Sequence, residues 1–119
     1  MKCKLEKFDA EELIRKSERA VQAGLFVVGH NALSDSKRYV PYKFGALRNS
    51  GCAQKDGGDF VVMWGTDADT AKYARYQYYT KGLNHTTAGT CDHWFDKAYS
   101  VRGEAWHKMF EQKVRQMMR

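Results

Sequence analysis

The chain contains a single proline, Pro41, and that residue divides the fold in two. Proline fixes its own φ, lacks an amide donor and pushes the residue before it toward extended conformations, so no helix runs through Val40-Pro41. Four residues on, Gly45 permits a tight turn or a close backbone approach. The sequence before this hinge reads as one long helix. The sequence after it opens with a β-hairpin.

The first helix carries unusually complete start signals. Asp9 is a good N-cap and Glu12 stands at the third helical position, while Phe8 and Leu13 sit where a hydrophobic staple forms. Leu13, Ser17, Ala20, Val21, Gly24, Leu25, Val28 and Ala32 recur at spacings of three and four, which marks one buried stripe. Arg15, Lys16, Glu18, Arg19 and Gln22 fall on the wet side. The pattern predicts a helix from Ala10 to about Leu33, roughly 36 Å long at 1.5 Å per residue. Residues 23–29 are apolar nearly all round. That half is either the core helix or meets another chain on its outer side, and Phe26 and Val27 are then the interface residues.

Beyond the hinge, residues 46–54 and 59–66 read as two strands joined through Asp56-Gly57, a pair suited to a turn that needs positive φ. Phe60, Val62 and Trp64 alternate with Val61 and Met63, so both faces of the second strand are apolar, and helices or a neighbouring subunit must cover them. Asp67 to Thr70 cap a short helix reaching about Thr80 that holds Tyr73, Tyr76, Tyr78 and Tyr79. Tyr73 and Tyr76 are expected to pack inward. Tyr78 and Tyr79 are expected to meet a protein partner, where tyrosine is enriched, with base stacking on nucleic acid as the lesser alternative. A loop over 83–90 leads to a final helix capped by Thr90 or Asp92, in which Gly103 is a kink or a close contact. The expected architecture is α+β: a long N-terminal helix and a C-terminal helix packed on a small antiparallel sheet, the hairpin 46–66, in one domain over 1–119.

Composition narrows the function classes. With 119 residues, 43% of them hydrophobic, the chain can build one modest core. No run of about 18 apolar residues is present, so no membrane span is expected, and the first residues lack the apolar stretch of a signal peptide, which points to synthesis in a cytoplasm. Cys3, Cys52 and Cys91 are odd in number and widely spaced, so free thiols are expected. The net charge of +6 permits contact with polyanions, including weak non-specific DNA contact.

Catalytic chemistry finds little to stand on. His85, Cys91, His93 and His107 lack an accepted zinc spacing. Asp92 beside Cys91 opposes a lowered thiol pKa, and no general base can be assigned. Asp67 and Asp69 read as turn and cap residues, and Gly57-Gly58 lacks the Lys-Ser/Thr of a phosphate loop. No catalytic residue, metal ligand or cofactor is expected.

Val40, Pro41, Gly45, Leu47, Arg48 and Ser50 form an ordered pattern that resembles a motif of minor capsid or neck (head–tail joining) proteins of long-tailed bacteriophages, with Phe44 in place of a usual threonine. Trp64, Tyr73, Ala74, Tyr76 and Tyr78 match a second block, and Trp94, Phe95 and Ala98 a weaker third. The resemblance implies a structural virion protein, made in the host cytoplasm, that forms a ring of copies joining the portal to the tail and letting DNA pass. Its partners are then other connector and tail proteins. A tail-terminator ring protein is a close alternative, and a stand-alone basic nucleic-acid-binding module is the rival from charge and tyrosines alone.

From Ser36 to Lys55 the chain carries Lys37, Arg38, Lys43, Arg48 and Lys55 and no Asp or Glu. This basic window reads as solvated surface, a DNA-facing patch or a patch facing an acidic protein ring. Protein contact ranks first, because a neck through which DNA slides cannot grip phosphates tightly. Arg48 lies inside the motif, and its fork geometry suits a carboxylate on a neighbour or on the last helix.

Overall fold

The computed structural model describes residues 1, 3, 10–41, 45–65, 68–83, 85 and 88–119, without the side chains of residues 68 and 69. The Phe8 and Asp9 start signals, Lys43, Phe44 and the Asp67 cap lie outside the described residues. Helix α1 spans Ala10–Ser36, a 3-10 turn follows at Lys37–Tyr39, and a four-residue helix α2 occupies Ala46–Asn49. Strands β1 (Cys52–Asp56) and β2 (Asp59–Met63) form one antiparallel hairpin, followed by α3 (Ala68–Tyr79) and α4 (Trp94–Met118). The architecture is α+β, with the two long helices and the small antiparallel sheet that the sequence predicts.

Helix α1 continues three residues past the expected Leu33. Ser36 is fully buried, and its hydroxyl donates back to the carbonyl of Ala32 at 2.6 Å. That bond removes the cost of carrying a hydroxyl into the core. Val40 then turns extended at φ −72°, ψ 128°, as a residue before proline must.

The strand expected from residue 46 begins only at Cys52. Gly45 sits at φ 81°, and Asn49 and Ser50 donate their amides to the carbonyls of Gly45 and Ala46 at 2.9 and 3.0 Å. Ala46, Leu47 and Arg48 are strong helix formers, and one turn of helix drives Leu47 into the core, where it is 2% exposed. Ser50 Oγ donates to the Leu47 carbonyl and accepts from the Gly65 amide, tying this turn to the end of β2. The hairpin is therefore 52–63 rather than 46–66.

Helices α1 and α4 pack antiparallel. Lys16 Nζ donates to the Arg119 carbonyl at one end, and Asp35 accepts from Arg102 and Trp106 at the other. Ala20, Gly24 and Ala32 are buried at this seam, where small side chains let the helices approach closely. A Cβ on Gly24 would stand 2.8 Å from the ring of Phe110. The hairpin lies along α1: the Phe60 ring covers Gly29, and Gln22 Nε2 donates to the Gly58 carbonyl at 3.0 Å.

Two small cores share one end of this helix pair. Val40, Leu47, Ala74 and Trp94 make the first, with Trp64 and Tyr78 against it; Ala32, Ala98 and Trp106 make the second, with Val28 and Val62. Among the described residues the other end is thinly covered, and Leu13 (59% exposed) and Val21 (38%) do not join the buried stripe expected of them. Strand β2 is half-buried over Phe60–Met63, so neither of its faces is fully covered within the chain. The radius of gyration is 19.4 Å, against about 14 Å for a compact chain of this length.

The final helix starts later than either expected cap. His93 precedes it in the left-handed region at φ 45° and makes no side-chain cap, while its amide donates to the Tyr78 carbonyl at 3.0 Å. Of the two readings of Gly103, a kink or a close contact, the close contact is present. The ring of Tyr99 lies where its Cβ would be, at 3.0 Å, and reaches on to His107, with 2.8 Å between Tyr99 Oη and Nε2.

Candidate assembly surfaces

Ala74 is the inward knob of α3, 7% exposed, and being small it lets the helix settle against Val40, Leu47 and Trp94. Ala71 and Tyr78 lie on the same stripe, at the spacing of one helix face. The rest of the helix surface is set by geometry: Lys72, Tyr73 and Tyr76 face away from the stripe, and Arg75 and Tyr79 flank it, all of them exposed. Tyr73 is 38% exposed, Tyr76 56% and Tyr79 67%. The expectation that Tyr73 and Tyr76 pack inward is reversed, because the alanines claim the inner stripe.

Tyr78 is half-buried, its ring centroid 4.6 Å from that of Trp94 and 5.0 Å from that of Tyr79. Burial, and then the carboxylate of Asp96, raise its hydroxyl pKa above the ordinary value. Between α3, the start of α4 and the end of β2 lies an open cleft of about 410 Å³, walled by Trp64, Tyr78, Tyr79, Trp94 and Phe95, with Arg75 at its side.

A second aromatic cluster sits on α1. Phe26 is 58% exposed, and its ring centroid is 4.4 Å from that of His30 and 6.0 Å from that of Phe60. Val27 is half-buried, and its carbonyl accepts from Asn31 Nδ2 at 2.8 Å.

The basic window of the sequence is not one patch in space. Lys37 and Arg38 are exposed at the hinge end of α1, and Arg48 is tied there by a 2.9 Å bond from Nη2 to the Val40 carbonyl. Lys55 is exposed near the hairpin tip, whose Gly58 meets Gln22, about 22 Å back along α1 from Lys37. The better-formed cationic surface was missed: Lys72 and Arg75 lie next to Tyr76 and Tyr79 on the exposed surface of α3, and the described side chains of α3 include no carboxylate. The spacing of Ala71, Ala74 and Tyr78 was the signal that fixes this face.

The residues weighed for catalysis do not converge. His93 Nδ1 lies 3.1 Å from Asp92, and His107 contacts Tyr99. No group of three or more His, Cys, Asp or Glu among the described residues could hold a metal ion. Burial, and then Asp92, push the Cys91 thiol pKa up, opposite to what a nucleophilic thiolate needs. No helix among the described residues is long and apolar enough to cross a membrane.

Residues 2–114 match a protein family described as minor capsid protein. No curated protein and no solved structure matches the chain.

Proposed function

The chain belongs to the minor capsid protein family of phages, and from that premise we propose that it acts at the head–tail junction, as one copy in a neck ring that joins the portal to the tail. The coarser statement, a structural protein of the phage virion, follows from the family itself. The observation that carries the finer reading is the amount of aromatic and apolar surface left open in the single chain: Leu13, Ile14, Phe26, Tyr76 and Tyr79 are each more than half exposed. Tyrosine, phenylalanine and arginine are the residues enriched where proteins meet. A structural protein that works by assembly has a use for such a surface.

The neck role predicts a particular defect. Phage made without this chain should accumulate DNA-filled heads and separate, complete tails, visible by electron microscopy. Restoring the chain with a gold label should mark the vertex between head and tail. Label at the tail end of free tails would support a tail-terminating ring instead. Normal joined particles without the chain would overturn the reading.

Nucleic-acid binding stays as the rival, because the face of α3 joins cations to exposed tyrosines. Salt separates the two. Contact by a few cations should vanish by about 200 mM salt, whereas a dedicated binding module holds its site at that concentration.

A further inference from the structure

We propose that the hairpin tip of one copy docks on the outer face of α3 in the next copy. The inference rests on the ring reading above and assigns its head-to-tail contact.

The tip is narrow and exposed, and beyond the cation of Lys55 it carries two carboxylates. Asp56 and Asp59 stand directly opposite in the β1–β2 register, flanking Gly57-Gly58, and all four residues are exposed. Like charges opposite one another repel within the hairpin. No ion pair within the described residues relieves either carboxylate. A Cβ on either glycine would meet nothing within 4 Å, so the backbone of the tip is open to close approach by a partner.

The face of α3 has the opposite character. Lys72 and Arg75 on the helix and Lys81 just beyond it are exposed, and none takes part in an ion pair among the described residues. The hydroxyls of Tyr73, Tyr76 and Tyr79 add donors that suit carboxylates.

Charge selects this pairing. Two copies of a chain of net charge +6 repel, so contact between them is favoured where free carboxylates of one copy meet cations of the next. Glu11 and Glu12 are held by Arg15, Asp35 by Arg102, Asp92 faces His93, and Glu111 faces Arg115. Among the described residues Asp96 lies against Tyr78, and Glu18 and Glu104 are exposed outside any ion pair but stand singly on their helices. Asp56 and Asp59, by contrast, are an uncommitted pair facing each other on adjoining strands. Within one copy the tip and α3 lie apart: Gly58 lies beside Gln22 in the middle of α1, whereas α3 packs with Val40 and Trp94 beyond the C-terminal end of that helix. Two distinct patches meeting between copies is the heterologous geometry that closes into rings.

Charge reversal tests the contact. Sedimentation velocity at low salt would compare the wild-type chain with Asp56→Lys/Asp59→Lys, with Lys72→Glu/Arg75→Glu, and with an equimolar mixture of the two variants. Circular dichroism would check that each folds. Each variant alone should associate at least about tenfold more weakly, since like charges are brought together. The mixture should regain association, because every contact then joins opposite charges again. Association unchanged in both variants would overturn the contact and leave the ring reading standing. A wild-type chain that stays monomeric would also overturn it, with the ring reading then decided by the particles. Loss of duplex DNA binding in the α3 variant, with no change in association, would reassign that face to nucleic acid.

Discussion

Asp35 accepts two hydrogen bonds from α4, 2.7 Å from Trp106 Nε1 and 3.3 Å from Arg102 Nε. Trp106 is 4% exposed, so without this acceptor its indole N–H is stranded away from water. Asp35→Ala should cost about 1–3 kcal/mol in urea unfolding, and Asp35→Asn, which keeps an acceptor, clearly less. Equal losses in the two variants would show that the bond is not what matters. Tyr78 gives a pH signature. Its pKa is raised above 10.0, so the folded chain keeps this proton to higher pH than the unfolded chain does. The stability this adds is complete below about pH 10 and is lost as pH climbs through the raised value. In a Cys91→Ser background, which removes the other raised group among the described residues, the urea midpoint should fall as pH rises above about 10. Tyr78→Phe should flatten that fall.

At the level of elements, the hairpin turn separates two adjacent glycines. Gly57 has φ 60° and Gly58 is not among the positive-φ residues, the pattern of a type II′ turn with glycine at its first central position. Gly57→Ala should cost about 1–2 kcal/mol, since a Cβ there opposes the backbone conformation. Gly58→Ala, with open space around its Cβ, should stay within about 0.5 kcal/mol of wild type in thermal melting. The turn was legible because Gly57 can supply the positive φ that a tight hairpin turn needs, and α1 and α4 were legible because their apolar residues repeat at helical spacing. Residues 46–49 were misread: a single turn of helix is too short to show a period, and its shape depends on Leu47 reaching a core built by distant segments. The outward face of α3 was misread for a related reason. Tyrosine is apolar enough to suggest a core, and only the placement of Ala74 against Trp94 decides which tyrosines face in.

For the whole molecule, burial is concentrated at one end of the helix pair. Leu13 and Ile14 are 59% and 54% exposed at the other end, beyond the reach of both core clusters. Replacing both by Ser should therefore leave unfolding of the isolated chain within about 0.5 kcal/mol of wild type. A large loss of stability would show that the stripe reaches further along α1 than the fold indicates. The uneven cover also bears on how α1 opens. Amide exchange follows the energy of the smallest opening that frees each hydrogen, and such openings group by local packing rather than by helix. Among the described residues, α1 between Ala10 and about Ala20 faces the tail of α4, whereas from Val28 to Ser36 it is clasped by the hairpin, the hinge and Trp106. One unbroken helix should thus show two exchange regimes, with protons lost quickly from its first three turns and slowly from its last two. Its loose half can then adjust to a neighbour while the clasped half keeps its shape.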